Sequence, residues 1–271
     1  MRFRFTSPHP KDFPDELLSV IRSLPNACAS LHIPAQSGST SVLSAMRRGY
    51  SRQTYLDLIN RVRELLPHVS ISSDFISGFC GETEEDHQQT LTLLQEVQFD
   101  KAFMFAYSMR EKTHAHRRLS DDVPEDVKQR RLSEVIATFT EGARRANDAE
   151  VGRYHLVLLE GPAKKLSPRG EVEWMGRTDT NKRVVLPYTP LRSASGGGGG
   201  DGGGRDTTGT GDGPADGSNG AAELPRQGDY VAVRITESLS ANTLRAAPLA
   251  LSSIAHFADA ESRNHVGCWS S

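Results

Sequence analysis

Two short stretches of the chain gather amide, hydroxyl, carboxylate and glycine at points where apolar runs stop. In HIPAQSGSTSVLSAMRRGYSR, the loop Gln36-Ser37-Gly38-Ser39 follows an apolar run through Ile33. Gln36 offers an amide, Ser37 a hydroxyl, and Gly38 a backbone that a ligand can approach closely. In SSDFISGFCGETEED, Asp74 sits among small and apolar residues, Gly78 and Gly81 bracket a turn, and Glu82 precedes an acidic helix start. An ionised carboxylate inside a strand needs partners, so Asp74 either contacts a ligand or makes a structural hydrogen bond. Gly78 and Gly81 suit a turn that comes close to a cofactor. Glu82 either binds ligand hydroxyl or amino groups or serves the helix N-terminus. Arg48 closes a short helix beside Arg47 and suits an anion, or the helix C-terminus alone. Cys80 has no activating base nearby in the sequence. His32 reads as a satisfied core histidine. Phe103, Phe105 and Tyr107 alternate along one run as packing, with Tyr107 and Ser108 at its end within reach of a ligand.

These residues require a scaffold of alternating strands and helices. Arg2 to Thr6, Leu31 to Ile33, Val69 to Ile76 and Lys101 to Tyr107 read as strands. Between them lie helical patterns: one with Asp12 as N-cap and Leu17, Leu18, Ile21 and Leu24 on a face, and a short one through Val42, Leu43 and Met46. A third is capped by Ser51 and a fourth by Thr83, with Leu91, Leu94 and Val97 inward. Pro124 opens a long helix carrying Leu132, Val135, Ile136, Phe139 and Ala143 on one side. Strands alternating with helices and no tight hairpin imply parallel βαβ units, and ligands of such sheets sit at the strands' carboxyl ends. The expected object is a slice of a β/α barrel or of an open parallel sheet.

Beyond about Glu150 the texture changes to short strands: Tyr154 to Leu159, Glu171 to Arg177, Lys182 to Leu186, Tyr230 to Ile235, and Thr243 to Ala246 as a fifth. Such strands without helices suggest a small all-β barrel. Between Leu186 and Tyr230 lies a low-complexity insert: 13 of the chain's 24 glycines fall between Gly196 and Gly220. This segment, 189–225, reads as a flexible loop because it has too little apolar surface to order itself. The organisation is therefore 1–150, 151–247 and a frayed tail, 248–271. Lys164, Lys165, Arg169, Arg177, Asn181, Lys182 and Arg183 cluster on loops of the second part, as a phosphate track or as a solvated face.

Composition excludes little. A net charge of −2 over 271 residues favours no partner, so any nucleic-acid surface must come from local clustering. Cys28, Cys80 and Cys268 are too far apart for a disulfide framework or an iron–sulfur motif and read as incidental thiols. No run of about 18 apolar residues offers a membrane span.

HIPAQSGSTSVLSAMRRGYSR, SSDFISGFCGETEED and FAYSMREKTHA, in this order, resemble the radical-SAM methylthiotransferases of the MiaB type. The likeness is greatest to the eukaryotic mitochondrial branch, with Cys80 where bacterial members usually carry proline. GRTDTNKRVVLP and GDYVAVRI resemble two halves of the TRAM domain, an RNA-binding barrel. The resemblance implies an α/β fold, a partial radical-SAM (β/α) barrel, followed by a small all-β TRAM (OB-like) barrel. It implies methylthiolation of N6-isopentenyladenosine beside a tRNA anticodon, with S-adenosylmethionine, two 4Fe–4S clusters, an electron donor and tRNA as partner. On this reading Gln36, Ser37, Gly38, Arg48, Asp74, Gly78, Gly81 and Glu82 face the cofactor, and the basic loops meet RNA. The family's cluster cysteines belong upstream of Arg2, so neither cluster is expected to assemble on this chain, and the metal set is none. That leaves an inactive RNA-binding or regulatory fragment as the alternative, alongside a relative acting on another tRNA adenosine or a ribosomal protein.

Overall fold

The computed structural model describes residues 1–6, 9–10, 13–164, 170–194 and 222–262. Its first half is a parallel sheet of β1 (Phe3–Phe5), β2 (Ala27–His32), β3 (Ser70–Ser77) and β4 (Lys101–Ala106), in that spatial order. The crossovers run through α1 (Asp15–Ser23), the pair α2 (Thr40–Ala45) and α3 (Arg52–Leu65), and α4 (Glu84–Val97). After β4 come a short α5 (His114–Arg118) and the long α6 (Glu125–Asp148).

Strand periodicity decides what faces where. In β3, Ile71, Ser73, Phe75 and Ser77 are buried against the helices, whereas Ser72, Asp74 and Ile76 are only half-buried on the other face. The core between sheet and helices holds Leu31, Ile33, Ile71, Phe75, Tyr55, Ile59, Leu93 and Val135. Local signals set the helix starts. Ser51 accepts from the Thr54 amide, and Thr83 with Asp86 forms a reciprocal capping box at α4. The first helix departs from expectation: its N-cap is Pro14, and Asp12 lies outside the described residues. Ile136 of α6 is 42% exposed rather than buried, since α6 leans on the β4 edge through Val135 and Phe139.

The second half is a closed barrel of β5 (Tyr154–Pro162), β6 (Glu173–Arg177), β7 (Arg183–Pro187), β9 (Thr243–Ser252) and β8 (Tyr230–Ser240), in that order around it. All pairings are antiparallel except β7 with β9. Two expectations change. β9 runs to Ser252 because β8 pairs along its whole length, and α7 (Ile254–Ser262) follows with Phe257 buried, so the barrel continues past 247 into the expected tail. The edges of the insert also pair: Leu191 bridges Glu223, Ser193 bridges Leu251, and Leu191 is buried. Residues 195–221 lie outside the described residues.

Candidate active site at the carboxyl ends of the parallel strands

The loop after β2 and the end of β3 are joined by backbone. Gln36 N–H donates to the Asp74 carbonyl at 2.8 Å, and Ile76 N–H to the Gln36 carbonyl at 2.9 Å. Gln36 holds a left-handed φ of 67°, a conformation that costs a non-glycine residue about 1–3 kcal/mol and is kept where neighbours over-determine it. It is half-buried.

On the sheet face turned away from the helices, His32 stands between Ser72 and Asp74: Nδ1 lies 3.0 Å from Ser72 Oγ and Nε2 3.3 Å from Asp74 Oδ2. Phe103, the register partner of Asp74, presents its ring edge-on to His32 at 5.9 Å, and the Lys101 ammonium sits 4.8 Å from its centroid. Phe103 and Phe105 are 42% and 55% exposed, so they line this open face instead of filling a core. His32 likewise belongs to the open face rather than to the core. A carboxylate, an imidazole and two phenyl rings thus share the open face that leads to Gln36, with the Lys101 ammonium at its amino end.

Several residues singled out by type are turned elsewhere. Ser37 Oγ faces Thr90 Oγ1 at 3.3 Å, and Gly38 N–H donates to the same Thr90 oxygen at 3.0 Å. A Cβ on Gly38 would lie 2.3 Å from the Gln89 carbonyl, so this glycine lets the loop seat against α4. Arg48 donates from Nε to Tyr50 Oη at 3.3 Å and stacks over that ring. Gly78 (φ 78°) makes room for Lys128, whose Cγ a Cβ would meet at 2.3 Å, and Gly81 N–H donates to Asp122 Oδ1. Glu82 is fully buried: its Oε2 accepts from Gly78 N–H at 2.6 Å and pairs with Arg131 at 3.0 Å. Burial pushes its carboxyl up, although the Gly78 amide and Arg131 oppose this. Glu82 and Gly78 therefore shape the loop, and the strand-end site narrows to Gln36, Asp74, His32 and the β4 face.

The clamps on this loop come from α6, about fifty residues along the chain. Lys128 Nζ reaches Asp121 at 2.7 Å and lies 5.6 Å from the Tyr107 ring centroid. Cys80 packs with Val42 and Phe79 against Met46, Tyr107 and Leu119. Burial, then a hydrogen bond with Cys80, pushes the Tyr107 hydroxyl up to about 12. Glu84, His87 and Glu134 bring donor atoms within 4.8 Å of one another. Arg130 already pairs with Glu84 at 2.8 Å and Glu134 at 2.7 Å, so this cluster joins α4 to α6 as ion pairs.

The basic loops divide. Lys164 is exposed; Lys165 and Arg169 lie outside the described residues. Arg177 pairs with Glu160 at 3.1 Å and donates to Asn181 Oδ1. Arg183 Nε contacts Met175 Sδ. Lys182 is only 9% exposed, 2.9 Å from Asp100 just before β4. Two cavities, about 940 and 480 Å³, lie between sheet and barrel at the strands' amino ends, away from Gln36 and Asp74; Lys182 and Asp100 line both.

The open-face groups fit a hydroxylated nucleoside such as S-adenosylmethionine: acceptors at Asp74 and Gln36, and aromatic faces against which a base can stack. Iron–sulfur clusters fit less well. Cys28 begins β2 beside Asp179, its thiol pushed up to about 11 by burial and that carboxylate, while Cys80 lies beyond β3 in an apolar cluster. No close set of thiolates exists among the described residues.

Comparison with known proteins agrees with the fold. The model of the radical SAM superfamily matches residues 1–94. The chain is 50% identical over 242 residues to a CDK5RAP1-like protein of Oryza sativa, and 50% identical over 245 residues to the mitochondrial tRNA methylthiotransferase CDK5RAP1 of Homo sapiens. These matches take in 89% and 90% of this chain and 36% of each relative. It is also 50% identical over 187 residues to the tRNA-2-methylthio-N(6)-dimethylallyladenosine synthase of Chloroherpeton thalassium, covering 69% of this chain and 41% of that protein. The chain spans little more than a third of the length of the first relatives it matches. Identity of this level, sustained over nine-tenths of its residues, makes the chain a homologue of the radical-SAM tRNA methylthiotransferases.

Proposed function

We propose that this chain supplies the cofactor-facing strands and the RNA-holding barrel of a tRNA methylthiotransferase acting on N6-isopentenyladenosine beside the anticodon. The observation that carries this reading is half-identity to a mitochondrial tRNA methylthiotransferase over 90% of this chain and to a tRNA-2-methylthio-N(6)-dimethylallyladenosine synthase over 69% of it. Gln36 and Asp74 would hold S-adenosylmethionine, with His32 fixing the Asp74 carboxylate from Nε2. When bound, and given one electron by an iron–sulfur cluster held elsewhere in the intact enzyme, that cofactor would supply hydrogen-atom abstraction from a C–H bond too inert for acid–base chemistry. The open face does the rest: Phe103 and Phe105 offer aromatic surface for the ligand to cover beside Asp74, and the left-handed Gln36 keeps its loop in register with β3. The barrel, residues 151–247 extended through β9, acts as a TRAM-type domain that holds tRNA. Residence in mitochondria, and an electron donor for the intact enzyme, are proposed from the relatives' names and chemistry.

Mass analysis of tRNA nucleosides from cells lacking the gene tests this. Loss of the methylthio form with accumulation of isopentenyladenosine is expected. Unchanged methylthio-isopentenyladenosine overturns it, and loss of a different methylthio-nucleoside points to another adenosine substrate. A second reading, an RNA-binding or regulatory module without chemistry of its own, is favoured by the separation of Cys28 and Cys80. Reconstitution with iron and sulfide decides: visible absorbance from a bound cluster defeats the second reading.

A further inference from the structure

Between the two halves of the molecule, the turn of the β6–β7 hairpin is seated on the amino ends of the parallel strands. Asp179 accepts the Ala29 amide of β2 at 2.8 Å and stands 3.6 Å from Arg2, while Arg4 donates to the Thr178 carbonyl at 3.0 Å. Lys182 Nζ lies between Asp100, which precedes β4, and Asn147 near the end of α6, each at 2.9 Å. Asn147 is buried and donates onward to the Ser240 carbonyl of β8 at 2.9 Å. The turn itself is preset, with Asn181 at φ 63° and Lys182 N–H donating to a fully buried Thr178. One short segment thus touches β2, the β4 entry, α6 and, through Asn147, a second barrel strand.

We propose that Lys182 and Asp179 are positioning residues: they lock the barrel against the parallel sheet and set the direction from which RNA reaches the sheet's open face. Basic residues on a small barrel are ordinarily read as phosphate contacts, but a phosphate cannot displace partners that Lys182 already holds on both sides of its ammonium. Removing the ammonium frees the hairpin and leaves the RNA-facing surface intact. The reorientation step rests on the functional reading above; the lock itself does not.

The test uses the full chain with Lys182→Met, Asp179→Asn and the swap Lys182→Asp with Asp100→Lys. Asp179→Asn changes one half-exposed side chain and keeps the barrel core, so it serves if Lys182→Met fails to fold. Amide exchange at Ala29 should speed up by roughly tenfold or more in either single variant: Asp179→Asn trades a charged acceptor for a neutral one, and Lys182→Met lets the hairpin that carries Asp179 lift away. Binding to unmodified tRNA should stay within about twofold, with an unchanged salt slope. In the intact enzyme, kcat should fall while KM for tRNA holds, and the swap, which rebuilds the ion pair but forfeits the bonds of Asp100 to the Ile71 amide and of Lys182 to Asn147, should restore part of the exchange protection and of kcat. Unchanged exchange at Ala29 overturns the lock. So does weaker tRNA binding in Lys182→Met with a salt slope smaller by about one, the signature of a lost phosphate contact. Should the unaltered chain fail to bind tRNA, the functional reading falls while the exchange measurement still judges the lock.

Discussion

Replacing Arg131 by methionine should expose how strongly the strand-end loop depends on α6. The guanidinium is 6% exposed and the Glu82 side chain 1%; Nη1 lies 3.0 Å from Glu82 Oε2 and 2.8 Å from the Glu82 carbonyl. Methionine fills much of the volume but leaves the Glu82 carboxylate with only the Gly78 amide as a partner among the bonds described. Removing one member of a buried ion pair costs about 3–5 kcal/mol, because the remaining charge is uncompensated. With a urea dependence of about 2 kcal/mol per molar, the midpoint falls by about 2 M. Ellipticity at 222 nm is the right probe, since six of the seven helices described belong to the half of the molecule that holds this pair. The pH dependence comes from Glu82. Its folded value is raised above 4.5 by burial, so protonation favours the folded state. That contribution is complete below the unfolded value and is lost as pH rises through the folded one. Arg131→Met raises the folded value further, so its deficit should shrink between pH 7 and pH 5. Adding Glu82→Gln should recover part of the loss at pH 7. A deficit independent of pH, with no recovery in the double variant, would refute the reasoning.

Gly38→Ala should destabilise by at least about 1–3 kcal/mol in a thermal melt, since its Cβ would meet α4 backbone rather than a movable side chain. Asp86 is raised by burial, but the hydroxyls of Ser39 and Ser41 and the Thr83 cap outweigh this and bring it down to about 2. Its stabilisation is therefore present above the unfolded value of 3.8 and lost as pH falls toward 2, and Asp86→Asn should flatten acid unfolding in that window. Phe75→Ala, at a fully buried ring, should cost about 3–5 kcal/mol in urea unfolding. Phe105→Ala should cost less than about 1 kcal/mol in the same assay, because the ring is 55% exposed.

Local chemistry is readable in the sequence, and distant chemistry is not. Ser51 and Thr83 cap helices within their own turn, and the alternation in β3 needs only neighbouring residues, so these features stand where the pattern places them. By type alone, Glu82 and Lys182 suit ligand contacts. Their partners Arg131 and Asp100 lie 49 and 82 positions away, where no window of sequence joins them. Gly38 carries the same lesson: glycine signals a close approach, but the approaching group is α4 and not a ligand. Phe103 and Phe105 look like core by composition. Only the sheet's side assignment, set by which face the helices cover, leaves them open.

At 24 residues, α6 is about 36 Å long, and it is fastened at both ends to different things. Lys128 and Arg131 hold the strand-end loop, while Asn147 holds Lys182 and β8. Each residue added to a helix rotates its downstream half by about 100° and shifts it by about 1.5 Å. A one-residue insertion or deletion between Arg131 and Asn147 would swing one attachment off its target while the other stayed put. Side chains on the exposed side of this strut are free to change, whereas the number of residues between Arg131 and Asn147 is fixed by the two attachments.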